Sequence, residues 1–281
     1  MIDDCSTDGK IPILLKEFKD KHGFIHVTNN YNLGYTKTVN KAIKLSGEND
    51  VVLLNSDTVT THRWLDSLKY LAYSRSQVST VTALSDNSGA FSVPDVGKFN
   101  EIKAGLTQEE HARLITQNTF GNPISVPTGN GFCFYIRRDF LNIFGLFDEE
   151  KYPIGYGEEN DLCMRAFRAG WLNLICDKSF VYHKRSQSFK DEKIKLMEAG
   201  AKQLRFDYPE YKKLTSRFHD VEFNLLRSNI RAALEEDRTI LPRALFVIST
   251  TTGGTPQTNQ DLMRAISDKY SCYLLRCDKS N

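Results

Sequence analysis

Residues 155–171, Gly-Tyr-Gly-Glu-Glu-Asn-Asp-Leu-Cys-Met-Arg-Ala-Phe-Arg-Ala-Gly-Trp, set three carboxylates just after a glycine-loosened stretch and then turn helical. From Glu159 the positions at helical spacing run Leu162, Cys163, Ala166, Phe167 and Gly170, an apolar stripe that must face a core. Glu159 therefore stands at the N-terminal end of the inward face. Asp161, Arg165 and Arg168 fall on another face, with Asp161 and Arg165 spaced for an i,i+4 pair. With Glu158 beside it, such an inward carboxylate either complements the helix dipole or is a base poised to take a proton. Taken alone, the segment favours the dipole.

Asp57 is the second candidate. It follows Val51-Val52-Leu53-Leu54, a run that reads as a strand buried on both faces. A carboxylate there suits a divalent cation that also binds phosphate oxygens. Asn55 points to the same side and could hydrogen-bond a ribose or phosphate. Both residues equally suit an Asx turn or a helix N-cap. Asp3, Asp4, Ser6 and Asp8 carry the same ambiguity, between recognition of a base and ordinary turn chemistry. Asn32-x-Gly34 opens a helix running through Asn40 and could offer backbone N–H groups to a diphosphate. His183 ends a strand further on, as a metal ligand or a hydrogen-bonded strand-end histidine.

The elements that must hold these residues alternate. Helices are predicted over 11–22, 34–45 and 64–73, with strands at 24–28, 51–54 and 77–84. That order implies an α/β fold with a mostly parallel, doubly wound sheet, which binds ligands at the carboxyl ends of its strands. Only Met1-Ile2 precedes the Asp3–Gly9 turn, so the sheet is expected to lack most of its first strand. Residues 85–105, rich in Ser, Gly, Asn and Pro, read as a surface loop before a helix near 107–117. Then come a strand at 131–137, a helix at 139–144 and two short strands at 172–176 and 180–183. Residues 190–237 read as two helices interrupted by Pro209. Arg243–Ser249 begins a fresh βαβ unit.

Composition excludes several classes. Lys and Arg number 37 against 35 Asp and Glu, a net charge of +2 that leaves no footprint for nucleic acid. No apolar run approaches the ~18 residues of a membrane span, and no signal peptide opens the chain. The six cysteines are scattered without a C-x-x-C, as expected for reduced core residues of a cytoplasmic protein. No P-loop, Ser-His-Asp order or G-x-G-x-x-G is present.

In order, the motifs are D-D-C-S-T-D-G, N-x-G-x-x-x-x-x-N, L-L-N-S-D, G-N-G, G-E-E-N-D-L-C-M-R and a downstream histidine. Over residues 2–185 this order resembles the family-2 inverting glycosyltransferases of GT-A fold, especially the bacterial rhamnosyl- and galactofuranosyl-type branch that builds surface polysaccharides. The resemblance implies a Rossmann-like sheet with a helical C-terminal extension. Its base pocket would use Asp3 or Asp4, and Asn32, Gly34 and Asn40 would line the nucleotide site. Asn55 and Asp57 match the ends of a metal-binding D-x-D, with Asn replacing the first Asp. Asp57 and His183 would then hold Mg²⁺ or Mn²⁺. Gly129, Asn130 and Gly131 would border donor and acceptor. Glu158 and Glu159 match the acidic pair whose second member is the base, here Glu instead of Asp, with Asp161 in support.

The implied donor is a UDP-, dTDP- or GDP-sugar. The implied acceptor is a saccharide or lipid-linked saccharide, and that chemistry is compatible with peripheral association at the inner membrane face. Residues 242–281 resemble the first βαβ of a GT-B glycosyltransferase. The expected division is a transferase domain over 1–189, a helical linker over 190–241 and the start of a further transferase domain of a longer parent. Two rivals remain: a glycosyltransferase-like scaffold without turnover, and a nucleotidyltransferase. The second leaves the Glu158–Asp161 helix and His183 unexplained.

Overall fold

The computed structural model describes residues 1–153, 155–184, 190–219, 223–235, 243–249, 254–267 and 269–277. They fall into two compact units, Met1–Ala232 and Ala233–Asn281. In the first, β1 (Ile2–Asp3) and β2 (Val27–Thr28) pair in parallel around α1 (Lys10–His22). There follow α2 (Tyr35–Leu45), β3 (Val51–Leu54), β4 (Thr58–Thr60), α3 (Trp64–Ala72) and β5 (Val78–Leu84). Next come α4 (Gln108–Gln117), β6 (Ile124–Val126), β7 (Cys133–Ile136), α5 (Arg138–Phe144), α6 (Glu158–Arg168) and β8 (Leu172–His183). Three helices close the order: α7 (Lys190–Asp207), α8 (Tyr211–Arg217) and α9 (Phe223–Glu235).

The main sheet runs β3-β7-β5-β8-β4, with β6 also on β8. β3 and β5 are both antiparallel to β7, and β5 is parallel to β8, so β3, β5 and β8 share one direction. That is the doubly wound frame the alternation implies. β7 is inserted into it in reverse, and β4 and β6 are also antiparallel to β8, so the sheet is mixed rather than mostly parallel. Hydrophobic runs announce strands but not their direction. Direction follows the connection: β3 reaches β5 through the crossover helix α3, whereas β7 has no helix immediately before it.

β7 shows how the layers are built. Its alternate residues Cys133 and Tyr135 pack with Leu68, Leu71 and Ala72 of α3 on one face. Phe134 and Ile136 pack with Ile43 of α2, Phe140 of α5 and Leu162 and Ala166 of α6 on the other. This period of two buries both faces of the sheet under helices. All seven residues of β5 are buried, which makes it the centre of the domain. A smaller cluster of Met164, Leu204 and Tyr208, flanked by Tyr211 and Leu214, seats α7 and α8 on α6.

Three local expectations are corrected. The first part of the expected 85–105 surface loop is buried: Ser85, Asp86, Ser88, Phe91, Ser92 and Val93 lie inside and Gly89–Phe91 forms a 3₁₀ turn, whereas residues 97–99, 101, 104 and 105 are exposed as expected. Several of the buried polar side chains are bonded internally, as when Ser92 Oγ accepts from the Ser88 N–H and Ser85 Oγ donates to Asp86 Oδ1, so polarity here does not mean solvent. The two strands expected at 172–176 and 180–183 are one long strand. Its pairing jumps from Ala83↔Cys176 to Leu84↔Phe180, so the polar Asp177–Ser179 segment is a bulge. The helical region after residue 190 holds three helices rather than two.

In the second unit β9 (Arg243–Ser249) and β10 (Ser271–Cys277) pair in parallel, with α10 (Gly254–Ala265) between them in sequence. That is the expected βαβ. Gly253 and Asp278, part of that expectation, lie outside the described residues. No helix among the described residues is long and apolar enough to cross a membrane.

Candidate active site

The first turn of α6 is built around its acids. Gly157, at φ +148°, caps the helix, and its N–H donates to Glu158 Oε2 at 2.9 Å. A Cβ there would come within 2.4 Å of the Tyr152 ring, so only glycine lets the helix start here. Glu158 is buried, and burial holds its carboxyl above the usual range. Glu159 is partly accessible and accepts a 3.0 Å hydrogen bond from the Gly131 N–H. Burial first, and the Glu158 charge second, push its pKa up to about 8 against the pull of that N–H. Tyr35, at the start of α2, has its phenol pKa raised well above the ordinary value by burial and by the Glu159 and Glu158 charges. No sequence motif marked Tyr35.

The second half of the site lies where β3 ends. The Asn55 N–H donates to Phe132 O at 2.9 Å. The β4–β8 register pairs Thr58 with His183, which brings Asp57 beside the histidine. His183 Nε2 lies 3.2 Å from Asp57 Oδ1 and 3.3 Å from Asn55 Nδ2. On its other side Nδ1 lies 3.1 Å from the Asn87 carbonyl, and the backbone N–H donates to Asp86 Oδ1 at 2.9 Å. The ring stacks on Phe132 at 5.4 Å between centroids.

A carbonyl can only accept, so Nδ1 is the donor to Asn87 and Nε2 is the ring nitrogen turned toward the Asp57 carboxylate. A ring nitrogen and a carboxylate oxygen at this separation could both ligate one cation. Imidazole and carboxylate suit Mn²⁺, and Mg²⁺ accepts the same carboxylate. Among the described residues no group of three or more His, Cys, Asp or Glu is set to hold a metal. Further ligands would come from substrate oxygens or water. Asp86, which fixes the His183 backbone from below, stood unnoticed in a polar stretch that resembles a loop.

The Gly129–Asn130–Gly131 turn joins the two halves. A Cβ on Gly129 would lie 2.3 Å from the Phe134 ring, and one on Gly131 would lie 2.0 Å from Glu159 Oε1. The Gly129 N–H meets Cys163 Sγ at 3.2 Å, and Asn130 is held by Thr82 Oγ1 and the Ser88 carbonyl. Beside Glu159 opens a cavity of about 520 Å³, bordered by this turn and by α8.

The other candidates are engaged elsewhere. Asp3 accepts from the Ser6 N–H and hydroxyl. Asp4 is partly buried, which works against its charge, yet the N–H groups of Leu33 and Gly34 and the Asn29 and Thr38 side chains hold its pKa below the usual value. Asn32 Oδ1 closes an Asx turn on the same Gly34 N–H, leaving it no free donor for a diphosphate. Asn40 clamps α2 to the Phe147 backbone and to Glu149. Asp161 is buried against Arg165 Nε at 2.9 Å and the Tyr208 hydroxyl at 2.7 Å. The helical phase put it on a face other than the apolar stripe; Tyr208, just after α7, supplies the cover that sequence spacing alone did not show.

The mixed sheet under helices has the architecture of a glycosyltransferase fold of GT-A type. The sequence model of Glycosyltransferase like family 2 matches residues 8–201, and the chain belongs to that family. No curated protein matches it. Among solved structures it is similar to GalNAc-T7 with UDP, GalNAc and Mn²⁺, at TM-score 0.53 and 19% identity, over 82% of this chain and 47% of that one. It is also similar to the mannosyltransferase PcManGT from Pyrobaculum calidifontis in complex with GDP-Man and Mn²⁺. That likeness has TM-score 0.53 and 13% identity, over 96% of this chain and 70% of that one. The chain thus spans about half the length of GalNAc-T7. The likenesses carry the fold.

Proposed function

We propose that the protein transfers a sugar from a nucleotide-sugar donor to an acceptor hydroxyl in a single displacement with inversion. Glu159 is the general base. One observation carries this: an inward carboxylate, fixed by the Gly131 N–H and with its pKa raised by burial, stands at the edge of a substrate-sized cavity. Glu159 takes the acceptor O–H proton as that oxygen bonds to the anomeric carbon. The anomeric C–O bond to the diphosphate breaks, and its electron pair leaves with the phosphate. Glu158 keeps Glu159 basic through its charge, and the Gly131 N–H fixes the carboxylate's position. Asp57 and His183 would hold Mg²⁺ or Mn²⁺, which when bound neutralises charge on the leaving diphosphate. Both solved neighbours are complexes with Mn²⁺, which supports this metal chemistry here.

The donor would be a UDP-, dTDP- or GDP-sugar, since one neighbour is described with UDP and the other with GDP-Man. The motif order favours the bacterial rhamnosyl/galactofuranosyl branch and a role in surface polysaccharide biosynthesis at the cytoplasmic membrane face. The division into 1–189, 190–241 and 242–281, the last part opening a GT-B-like domain, belongs to the same reading. The test is incubation with a panel of nucleotide sugars and Mn²⁺. Nucleotide release that needs both metal and acceptor, with an inverted product by NMR, is the expected result. Release independent of Glu159 would sink the mechanism.

A second reading, a glycosyltransferase-like scaffold without turnover, is favoured by one observation. Asp4, the Gly34 N–H and Asn40 spend their hydrogen-bonding groups inside the protein. Absence of both nucleotide binding and release across the same panel would select it.

A further inference from the structure

We propose that the cavity beside Glu159 is an acceptor pocket for an uncharged saccharide, and that α8 sets its selectivity. This rests on the transferase reading above. The volume, about 520 Å³, lies in the ~300–1,000 Å³ range of small-ligand sites. One side consists of Thr128, Gly129 and Asn130 with Glu159 and Asn160. The facing side is Tyr211, Thr215, Ser216, Phe218 and His219. The family match ends at residue 201, so this facing wall lies outside the shared domain.

The lining chemistry selects the ligand. Among the described residues around the cavity there is no lysine or arginine, and Glu159 is the one carboxylate. A diphosphate, a phosphosugar or a uronic acid would enter beside the Glu159 carboxyl with no counter-charge among the described residues. The nucleotide therefore belongs on the Asp57–His183 side. An alkyl chain fits no better, because it would strip water from Thr128, Asn130, Asn160 and Ser216 without replacing those hydrogen bonds. A sugar answers both halves. Its hydroxyls match the hydroxyl and amide groups, and its C–H face matches the apolar floor of Phe91 and Phe218, whose rings lie 6.4 Å apart.

The wall and the base share one support. Arg168, near the end of α6, makes a two-pronged bond to Glu210 at 2.7 and 2.9 Å, immediately before α8. Tyr211 and Leu214 of α8 pack on the Met164–Leu204–Tyr208 cluster. The helix that carries Glu159 thus also fixes the distance from Glu159 to the α8 wall. An acceptor seated against α8 has its hydroxyl located relative to the base by a single packing contact.

Ser216 is exposed, so Ser216→Trp fills the cavity without entering the core. The protein is loaded with a nucleoside diphosphate and Mg²⁺ and probed by saturation-transfer NMR. The probes are methyl glucoside, galactoside, mannoside and rhamnoside, against glucose 6-phosphate and glucuronate. Neutral glycosides should give signals that fall at least fivefold in Ser216→Trp, while nucleotide affinity by calorimetry stays within twofold. The absence of any neutral-glycoside signal, preference for the charged sugars, or a signal unchanged in Ser216→Trp overturns the proposal. Weakened nucleotide binding in the variant overturns it as well, since the cavity would then be the donor site. Failure of the wild type to bind nucleotide at all instead removes the transferase reading beneath it. Unfolding curves of Ser216→Trp and Ser216→Ala separate a blocked pocket from a damaged fold.

Discussion

The backbone N–H of Gly131 donates to Oε1 of Glu159 across 3.0 Å and so ties the turn before β7 to the first turn of α6. The contact is possible only because residue 131 has no side chain: a Cβ would fall 2.0 Å from that oxygen. Its neighbour Phe132 accepts from the Asn55 N–H and stacks on His183, so one short segment positions both Glu159 and His183.

Gly131→Ala and Gly129→Ala should therefore fail differently. At 131 the added methyl meets the far end of a flexible carboxylate, which can move, so the fold survives while the base is displaced. A shift near 1 Å at a reacting group costs on the order of 100-fold in rate. At 129 the methyl meets the Phe134 ring at 2.3 Å and Thr82 Oγ1 at 2.5 Å, both in the core. Overpacking of that kind costs about 1–3 kcal/mol. Denaturation midpoints set beside initial rates will tell the two apart; equal losses of stability would contradict the account.

Glu159→Gln should reduce transfer by ~10²–10⁴-fold, the range expected for loss of a general base. Gln can still accept the Gly131 hydrogen bond, so the pocket keeps its shape and nucleotide affinity by calorimetry should change less than threefold. Wild-type turnover in this variant would remove Glu159 from the mechanism.

The same substitution makes a prediction about stability and pH. A carboxyl raised from 4.5 to about 8 in the folded protein holds its proton where the unfolded chain has lost it. Its contribution to stability is complete below pH 4.5 and is lost as pH rises toward 8, by up to about 1.4 kcal/mol per pH unit. Glu159→Gln abolishes that loss. The ligand-free variant should match wild type near pH 4.5 and exceed it by about 2–4 kcal/mol at pH 8. A stability difference that does not vary with pH would mean Glu159 is ionised normally.

Much of this was legible in the sequence, and the misses have physical causes. The runs at 51–54 and 77–84 and the stripe Leu162–Cys163–Ala166 fixed a layered α/β frame, because burial imposes periodicity. The reversal of β7 left no such trace. Asp57 and His183, distant in sequence, meet through the β4–β8 register, which spacing cannot reveal. Asp4, Asn32 and Asn40 illustrate the reverse problem. The groups that could bind a nucleotide also make good turns and clamps, and these hydrogen bonds are of that kind. Asp86 and Tyr35 matter only through what packs on them.

Asp161 separates an acidic cluster from an active site. Its carboxylate joins Arg165 and Tyr208, and Arg165 in turn donates to the Leu146 carbonyl at 2.7 Å. Asp161→Asn leaves that guanidinium without its counter-charge, at a cost of about 3 kcal/mol, the low end for a broken buried pair. Thermal stability should fall while the rate per folded molecule changes less than threefold. A rate loss comparable to that of Glu159→Gln, with stability intact, would return Asp161 to the chemistry.

Asp57 and His183 should behave as one unit toward metal. With Nδ1 turned to the Asn87 carbonyl, Nε2 and Asp57 Oδ1 lie 3.2 Å apart, placed to ligate the same cation. Asp57→Ala removes the only charged ligand of the two. His183→Ala removes the nitrogen donor and the ring stacked on Phe132. Calorimetric titration of nucleoside diphosphate with and without Mn²⁺ should show metal enhancing binding to wild type by at least ~10-fold, and by little in either variant. The double variant should lose no more than the worse single one, because residues that act through one ion are not additive. Additive losses, or a Mn²⁺ effect that survives Asp57→Ala, would mean that the cation binds elsewhere and that the pair is a structural hydrogen bond.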